Sequence, residues 1–216
     1  MSNRFFITLL VLIAIIFGAF VFTKNKDSAN TNGGSKSKPT EHILGSKSSG
    51  VVLVEYGDFQ CPACKQYFPV VEQIIEKYKD QIEFQFRNFP LVQIHQNAFA
   101  AHRSAEAADK QGNFWEMYRL LYQGQDSWAN AGNPATVFEE YAKQLNLNTE
   151  QFKTDSASQE TNDKINADIA EGKKFNISGT PGFVLEGKLL EENPRSFEEF
   201  VKLIDEAIKT KKTTPQ

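Results

Sequence analysis

Hydrophobic positions along the chain fall into three regimes. Residues 5–23 are almost uniformly apolar and carry no formal charge. As a helix, such a run spans about 28 Å at 1.5 Å per residue, close to a bilayer core of about 30 Å. The pattern predicts a membrane-crossing signal anchor over residues 1–23, and its Phe- and Val-rich end lacks the small-x-small signature of a cleaved leader. Arg4 on one side and Lys24 and Lys26 on the other leave its orientation open. Residues 24–40 are polar and rich in Asn, Ser, Gly and Lys. They offer too little apolar surface to offset the entropy of ordering, so a flexible linker is expected.

The third regime, residues 41–210, alternates strand-like and helix-like patterns. Val51-Val52-Leu53-Val54-Glu55-Tyr56, bounded by Gly50 and Gly57, fits a strand buried on both faces. Tyr67, Val70, Val71, Ile74, Ile75 and Tyr78 recur at three- and four-residue spacing, which makes one stripe of a helix. Residues 82–87 supply a second strand and complete a βαβ-like opening. From about 95 to 175 strand signals fade and four helical patterns follow: residues 98–108, residues 114–122, one opening near Pro134 with Val137, Tyr141 and Leu145, and residues 165–175. Strand character returns at 183–185, where the Glu186-Gly187 turn into Leu189-Leu190 predicts a hairpin. Phe197, Phe200, Val201, Ile204 and Ile208 form a closing amphipathic helix, and residues 211–216 read as a polar tail. The expected class is α/β with a helical insertion over about 95–175.

Composition narrows the function. The 216 residues with 40% hydrophobic content suffice for one core. The 24 basic and 27 acidic side chains are interspersed for a net charge of -3, without the basic stripe that nucleic acid requires. The only two cysteines, Cys61 and Cys64, exclude a disulfide framework. Half a zinc site would need two more ligands, and His42, His95 and His102 form no ligand pair at finger spacing. His42 lies beside the linker, while His95 and His102, seven apart on one predicted helix, read as structural. Neither a metal nor a cofactor is expected.

Cys61-Pro62-Ala63-Cys64 lies between a predicted strand and a predicted helix. That placement puts the first sulfur at a helix N-terminus, where unpaired N–H groups and the dipole favour an anion. Pro62 suits the first helical position. Cys61 is therefore expected to ionise readily and to form mixed disulfides, with the more enclosed Cys64 making or resolving the internal bond. A lone redox pair acting as an oxidant implies an oxidising compartment, so the domain is expected outside the cytoplasm.

The run Val54-Glu55-Tyr56-Gly57-Asp58-Phe59-Gln60-Cys61-Pro62-Ala63-Cys64 resembles the DsbA-like thioredoxin-fold oxidoreductases. So do Arg87-Asn88-Phe89-Pro90-Leu91, the predicted helix over 95–108, Gly112-Asn113-Phe114-Trp115 and Gly179-Thr180-Pro181. The resemblance covers residues 41–209 and implies a thioredoxin-like fold. It implies that Pro181 is a cis proline beside the cysteines, with Thr180 offering backbone hydrogen bonds to a substrate peptide. It also places an acid at Glu55, which would exchange a proton with Cys64; a solvent-facing glutamate is the alternative. Phe59, with Phe89 and Leu91, is expected either to line a hydrophobic substrate surface or to sit in the core. Ala63 departs from the Cys-Pro-His-Cys form of strongly oxidising members and cannot donate a hydrogen bond to the Cys61 thiolate.

The function this implies is introduction of disulfides into reduced, unfolded exported proteins. Reoxidation would come from a membrane partner resembling DsbB or a vitamin-K-epoxide-reductase-like protein, because no third cysteine can relay electrons. A reductase or isomerase using the same pair is the alternative. So, from another class, is a membrane-tethered chaperone or metal-binding protein.

Overall fold

The computed structural model describes residues 37–213. The predicted membrane anchor and residues 24–36 of the predicted linker lie outside these residues. Among the described residues no helix is long and apolar enough to cross a membrane.

Strand β2 (Val51–Gly57) and strand β3 (Ile82–Asn88) pair in parallel, Val51 opposite Ile82 through Gly57 opposite Asn88. They are joined by helix α1 (Pro62–Tyr78), as a parallel pair requires. Both strands are buried almost throughout because helices cover both of their faces. Strand β4 (Gly182–Leu185) adds antiparallel to β2, and β5 (Lys188–Leu189) closes the predicted hairpin. Strand β1 (His42–Gly45) pairs antiparallel with β3, His42 opposite Phe86, giving the order β1-β3-β2-β4-β5.

Six helices separate β3 from β4. They are α2 (Ala98–Asp109), α3 (Phe114–Gln123), α4 (Gln125–Trp128), α5 (Ala135–Gln144), α6 (Thr149–Ser156) and α7 (Gln159–Lys174). The chain ends in α8 (Phe197–Thr213), which runs into the expected polar tail.

The larger core joins one face of the sheet, through Leu53, Phe84 and Phe86, to Val71 and Ile74 of α1, Ala101 and Ala105 of α2, Tyr118 of α3 and Ile204 of α8. The opposite face carries a smaller cluster of Tyr56, Phe89, Ile177 and Val184, with Ile169 of α7 packed against it. Gly172 makes that closeness possible: a methyl there would stand 2.8 Å from the Phe89 ring and 2.9 Å from Tyr56.

The fold begins earlier than expected. Thr40, at the end of the predicted linker, binds the buried Asp168 of α7 twice, its N–H to Oδ1 at 2.7 Å and its hydroxyl to Oδ2 at 2.7 Å. Asn88 donates to the same carboxylate from its backbone at 2.9 Å and its side chain at 2.8 Å. His42 is a buried strand residue, unlike the linker-side histidine of the sequence reading. Its ring stacks on Phe114 at 3.4 Å and its Nε2 lies 2.6 Å from Glu106. His95 precedes α2 and so does not share a helix face with His102.

Candidate active site

Cys61 is the cap residue of α1, extended at φ -68 and ψ 123, and its carbonyl accepts the Lys65 N–H at 3.1 Å. Pro62 takes the first helical position, where its missing N–H removes no bond. The Cys61 thiol is lowered from 9.0 to about 5. A hydrogen bond with Cys64 is the largest cause and burial opposes it; Thr180 and the Cys64 and Ala63 amides contribute further. Cys64, fully buried one turn along, is pushed well up, first by burial and then by its bond to, and the charge of, Cys61. Both cysteines are free thiols. One fold thus holds a thiolate and a protonated thiol side by side at neutral pH.

The Thr180–Pro181 peptide is cis. Thr180 carries the carbonyl oxygen that lies 3.4 Å from Cys61 Sγ. Ala63, Tyr67, Ile177, Thr180, Leu189 and Leu190 line an open groove of about 420 Å³ running along this loop. Pro181 itself is buried and Thr180 is half-buried, while Ser178 and Gly179 just before them are exposed.

Glu55 lies on the inner face of β2 and is 1% exposed, which removes the solvent-facing alternative. Burial is the main reason its carboxyl rises from 4.5 to about 8; the nearby Tyr118 hydroxyl opposes the shift and the Cys61 charge adds to it. At neutral pH this carboxyl is mostly protonated, beside a thiol that exchanges a proton whenever its bond to sulfur changes.

Phe59 is corrected from a possible substrate contact to a core residue. It has no exposed surface, and its ring lies 5.1 Å from Phe86, 4.6 Å from His102, 5.8 Å from Tyr118 and 5.1 Å from Tyr122. The loop leaving β2 turns this ring inward beneath the cysteines. Phe89 is likewise buried, edge-on to Tyr56 at 6.3 Å. Exposed apolar surface follows instead at Val92 and Ile94, 48% and 72% exposed.

Several residues that hold the cysteine loop carry no signal in the sequence pattern. The buried Asp58 carboxylate receives the Gln60 N–H at 2.8 Å and the Leu91 N–H at 2.9 Å, and binds His95 Nδ1 at 2.6 Å. Gln60 in turn accepts the Asn97 N–H at 2.7 Å and donates to the Ala129 carbonyl at 2.7 Å. Gln125 donates to the Phe59 carbonyl at 2.7 Å and to the Cys61 carbonyl at 3.1 Å. The inserted helices therefore hold the backbone on which the reactive sulfur stands.

His42, Glu106 and Asp109 place ligand-type atoms within 4.8 Å of one another. The two carboxylates meet cations already. His42 is raised to about 9: burial opposes the shift, while Glu106 and Asp109 outweigh it. Lys164 lies 3.6 Å from Asp109. His102 is held neutral at about 4, chiefly by burial. The Phe59 N–H donates to its Nε2 at 3.4 Å, so Nδ1 carries the proton and donates to Asn88 at 2.6 Å.

Residues 37–206 match the family model described as thioredoxin. The chain belongs to this family. It is 29% identical to the probable disulfide bond formation protein D of Bacillus anthracis over 206 residues, 92% of this chain and 93% of that protein. It is 34% identical over 148 residues to the Na(+)/H(+) antiporter NhaA 3 of Salinispora tropica, a match covering 68% of this chain and 22% of that protein. The chain thus spans about a fifth of the length of such antiporter relatives. In fold it is similar to BdbD from Bacillus subtilis in its oxidised form, with a TM-score of 0.67, 23% identity and coverage of 82% of this chain and 100% of that one. A thioredoxin-like oxidoreductase from Silicibacter pomeroyi DSS-3 gives a TM-score of 0.66 at 24% identity, covering 82% and 98%.

Proposed function

We propose that the protein is a thiol:disulfide oxidoreductase that introduces disulfides into exported proteins through the Cys61–Cys64 pair. The observation that carries this reading is the opposite displacement of the two thiols, one lowered to about 5 and the other pushed well up. A substrate thiolate attacks the Cys61 sulfur of the disulfide form, the S–S bond breaks, and Cys64 leaves with the electron pair and takes up a proton. A second thiolate of the same substrate then attacks the substrate sulfur bonded to Cys61, the substrate disulfide forms, and Cys61 departs as a stabilised thiolate. Stabilising the leaving thiolate makes the oxidised protein a strong electron acceptor.

Glu55, mostly protonated and facing the pair, is the proton donor to Cys64. Thr180 and Pro181 border the groove in which an extended substrate strand would lie, and Pro62 and Ala63 set the first turn. Residues 1–23 would anchor the domain at a membrane with the catalytic unit outside the cytoplasm, and the stretch between them and the docked Thr40 would tether it. A membrane partner resembling DsbB or a vitamin-K-epoxide-reductase-like protein would accept the electrons.

The reduction potential tests the direction of flow. Equilibration with glutathione is expected to give a value nearer DsbA's, about -120 mV, than thioredoxin's, about -270 mV. A value at the thioredoxin end would make the protein a reductase. Failure of Cys64→Ser to retain a peptide offered in its disulfide form, held as a mixed disulfide after the Cys61 thiolate attacks that bond and releases the peptide's other sulfur as a thiol, would remove the pair mechanism altogether.

A further inference from the structure

Among the described residues, four buried oxygens around the inner face of β2 have no hydrogen-bond partner: Glu55 Oε2, Glu72 Oε1, Tyr118 Oη and Tyr122 Oη. Unpaired buried polar atoms are rare, and each one calls for a physical explanation. Their placement makes a polar seam through an otherwise apolar layer. Leu53, Glu55 and Gly57 alternate onto the same face of β2. A methyl on Gly57 would lie 3.0 Å from the Tyr122 hydroxyl, which locates that hydroxyl two strand positions from Glu55.

On α1, Cys64, Phe68 and Glu72 follow at four-residue spacing and share one stripe. The Phe68 ring lies 5.7 Å from Tyr118 and 5.4 Å from Tyr122, and the two tyrosine rings are 5.0 Å apart. At the far end the other Glu72 oxygen accepts the Arg119 Nε–H at 2.7 Å. This pair is 29% and 35% exposed, so it meets solvent.

The groups facing Glu55 come from every element packed on it. Cys61 and Cys64 come from the start of α1, Tyr118 and Tyr122 from α3, and Glu72 and Arg119 act beyond Tyr118. Asp58 bears on Tyr122 from the cysteine loop. The strand neighbours of Glu55, Phe86 and Phe183, bring no charge.

Each opening of the Cys61–Cys64 bond consumes one proton at Cys64, and each closing releases one. If Glu55 supplies that proton, it must regain one from water, yet it is 1% exposed. We propose that Tyr118 and Glu72 pass the proton between Glu55 and solvent, with Arg119 positioning Glu72 at the outer end. This rests on the reading of Glu55 as the proton donor to Cys64. A phenol both donates and accepts, so Tyr118, once a small side-chain shift or a bridging water joins its hydroxyl to Glu55 and Glu72, can release one proton towards Glu55 while taking another from the Glu72 side without becoming charged. Tyr122, beside it, would complete the polar lining.

The test is single-turnover reduction of the Cys61–Cys64 disulfide by dithiothreitol in the full chain, quenched with acid and read as free thiols across neutral pH. Glu72→Gln and Tyr118→Phe are expected to slow the reaction several-fold without changing the alkylation rate of Cys61. Excess imidazole buffer should restore Glu72→Gln and leave wild type unaffected. A purely structural contribution from Glu72 would give no such rescue. Should Tyr118→Phe fail to fold, the partly exposed Glu72 carries the test with its rescue. Wild-type rates in both variants, alongside a slowed Glu55→Gln, would overturn the path while sparing Glu55 as donor. Wild-type rates in all three would overturn both.

Discussion

Cys61 Sγ lies 3.4 Å from the Thr180 carbonyl oxygen, across the loop that precedes Pro181. In the thiol state the sulfur donates to that carbonyl, and the buried Thr180 hydroxyl has no partner. On ionisation the carbonyl loses its donor, and the hydroxyl becomes a donor to the thiolate, one of the causes that hold Cys61 near 5. Thr180→Val removes that donor and keeps the shape. A hydrogen bond to a charged group contributes about 1.5–3 kcal/mol, so the midpoint of iodoacetamide alkylation against pH should rise by about one to two units. An unmoved midpoint would leave the helix terminus and Cys64 as sufficient causes.

Stability should depend on pH differently in the two redox forms. The folded Cys61 value of about 5 lies below its ordinary 9.0, so ionisation contributes stability that is present above 9.0 and lost as pH falls through 5. The disulfide form has no such group. Urea midpoints should therefore show the reduced protein gaining on the oxidised one as pH rises from 5 towards 9. Glu55 acts in the opposite sense: raised from 4.5 to about 8, it contributes stability present below 4.5 and lost as pH rises through 8. Glu55→Gln should gain on wild type across that window by at most about 1.4 kcal/mol per pH unit. Parallel curves for variant and wild type would mean that Glu55 titrates alike in folded and unfolded chains.

Gln125 offers a test of how the inserted helices support the cysteine loop. Its amide donates to two carbonyls, those of Phe59 and Cys61, from a side chain that is 4% exposed. Gln125→Ala is expected to lower unfolding free energy by about 1–3 kcal/mol, because it deprives buried acceptors of a donor. Gln125→Glu should be worse, since an ionised carboxylate donates nothing. Denaturation curves for both redox forms would check this; a neutral Gln125→Glu would show that the loop holds itself.

Much of this architecture is written in local patterns. The apolar run at 51–56, the stripe from Tyr67 to Tyr78 and the Glu186-Gly187 turn each announce their element, because burial periodicity and turn chemistry act over a few residues. Cys61 at a helix start follows from its setting between a strand and a helix. Strand β1 was missed, since only four residues form it and its pairing partner is β3, far along the chain. Helix α6 was missed because Phe152 is its only buried residue, and α7 begins at Gln159 with a polar turn capped by Ser158. The ties made by Gln60, Asn97 and Gln125 depend on which carbonyls the fold brings near them, which no local pattern records. Phe59 shows the same limit: an aromatic beside a cysteine motif reads alike whether its ring points out or in.

The double grip of Thr40 on Asp168 sets where outside force enters the domain. A pull on the preceding segment would load β1 and helix α7 before it reached β2 or the cysteine turn.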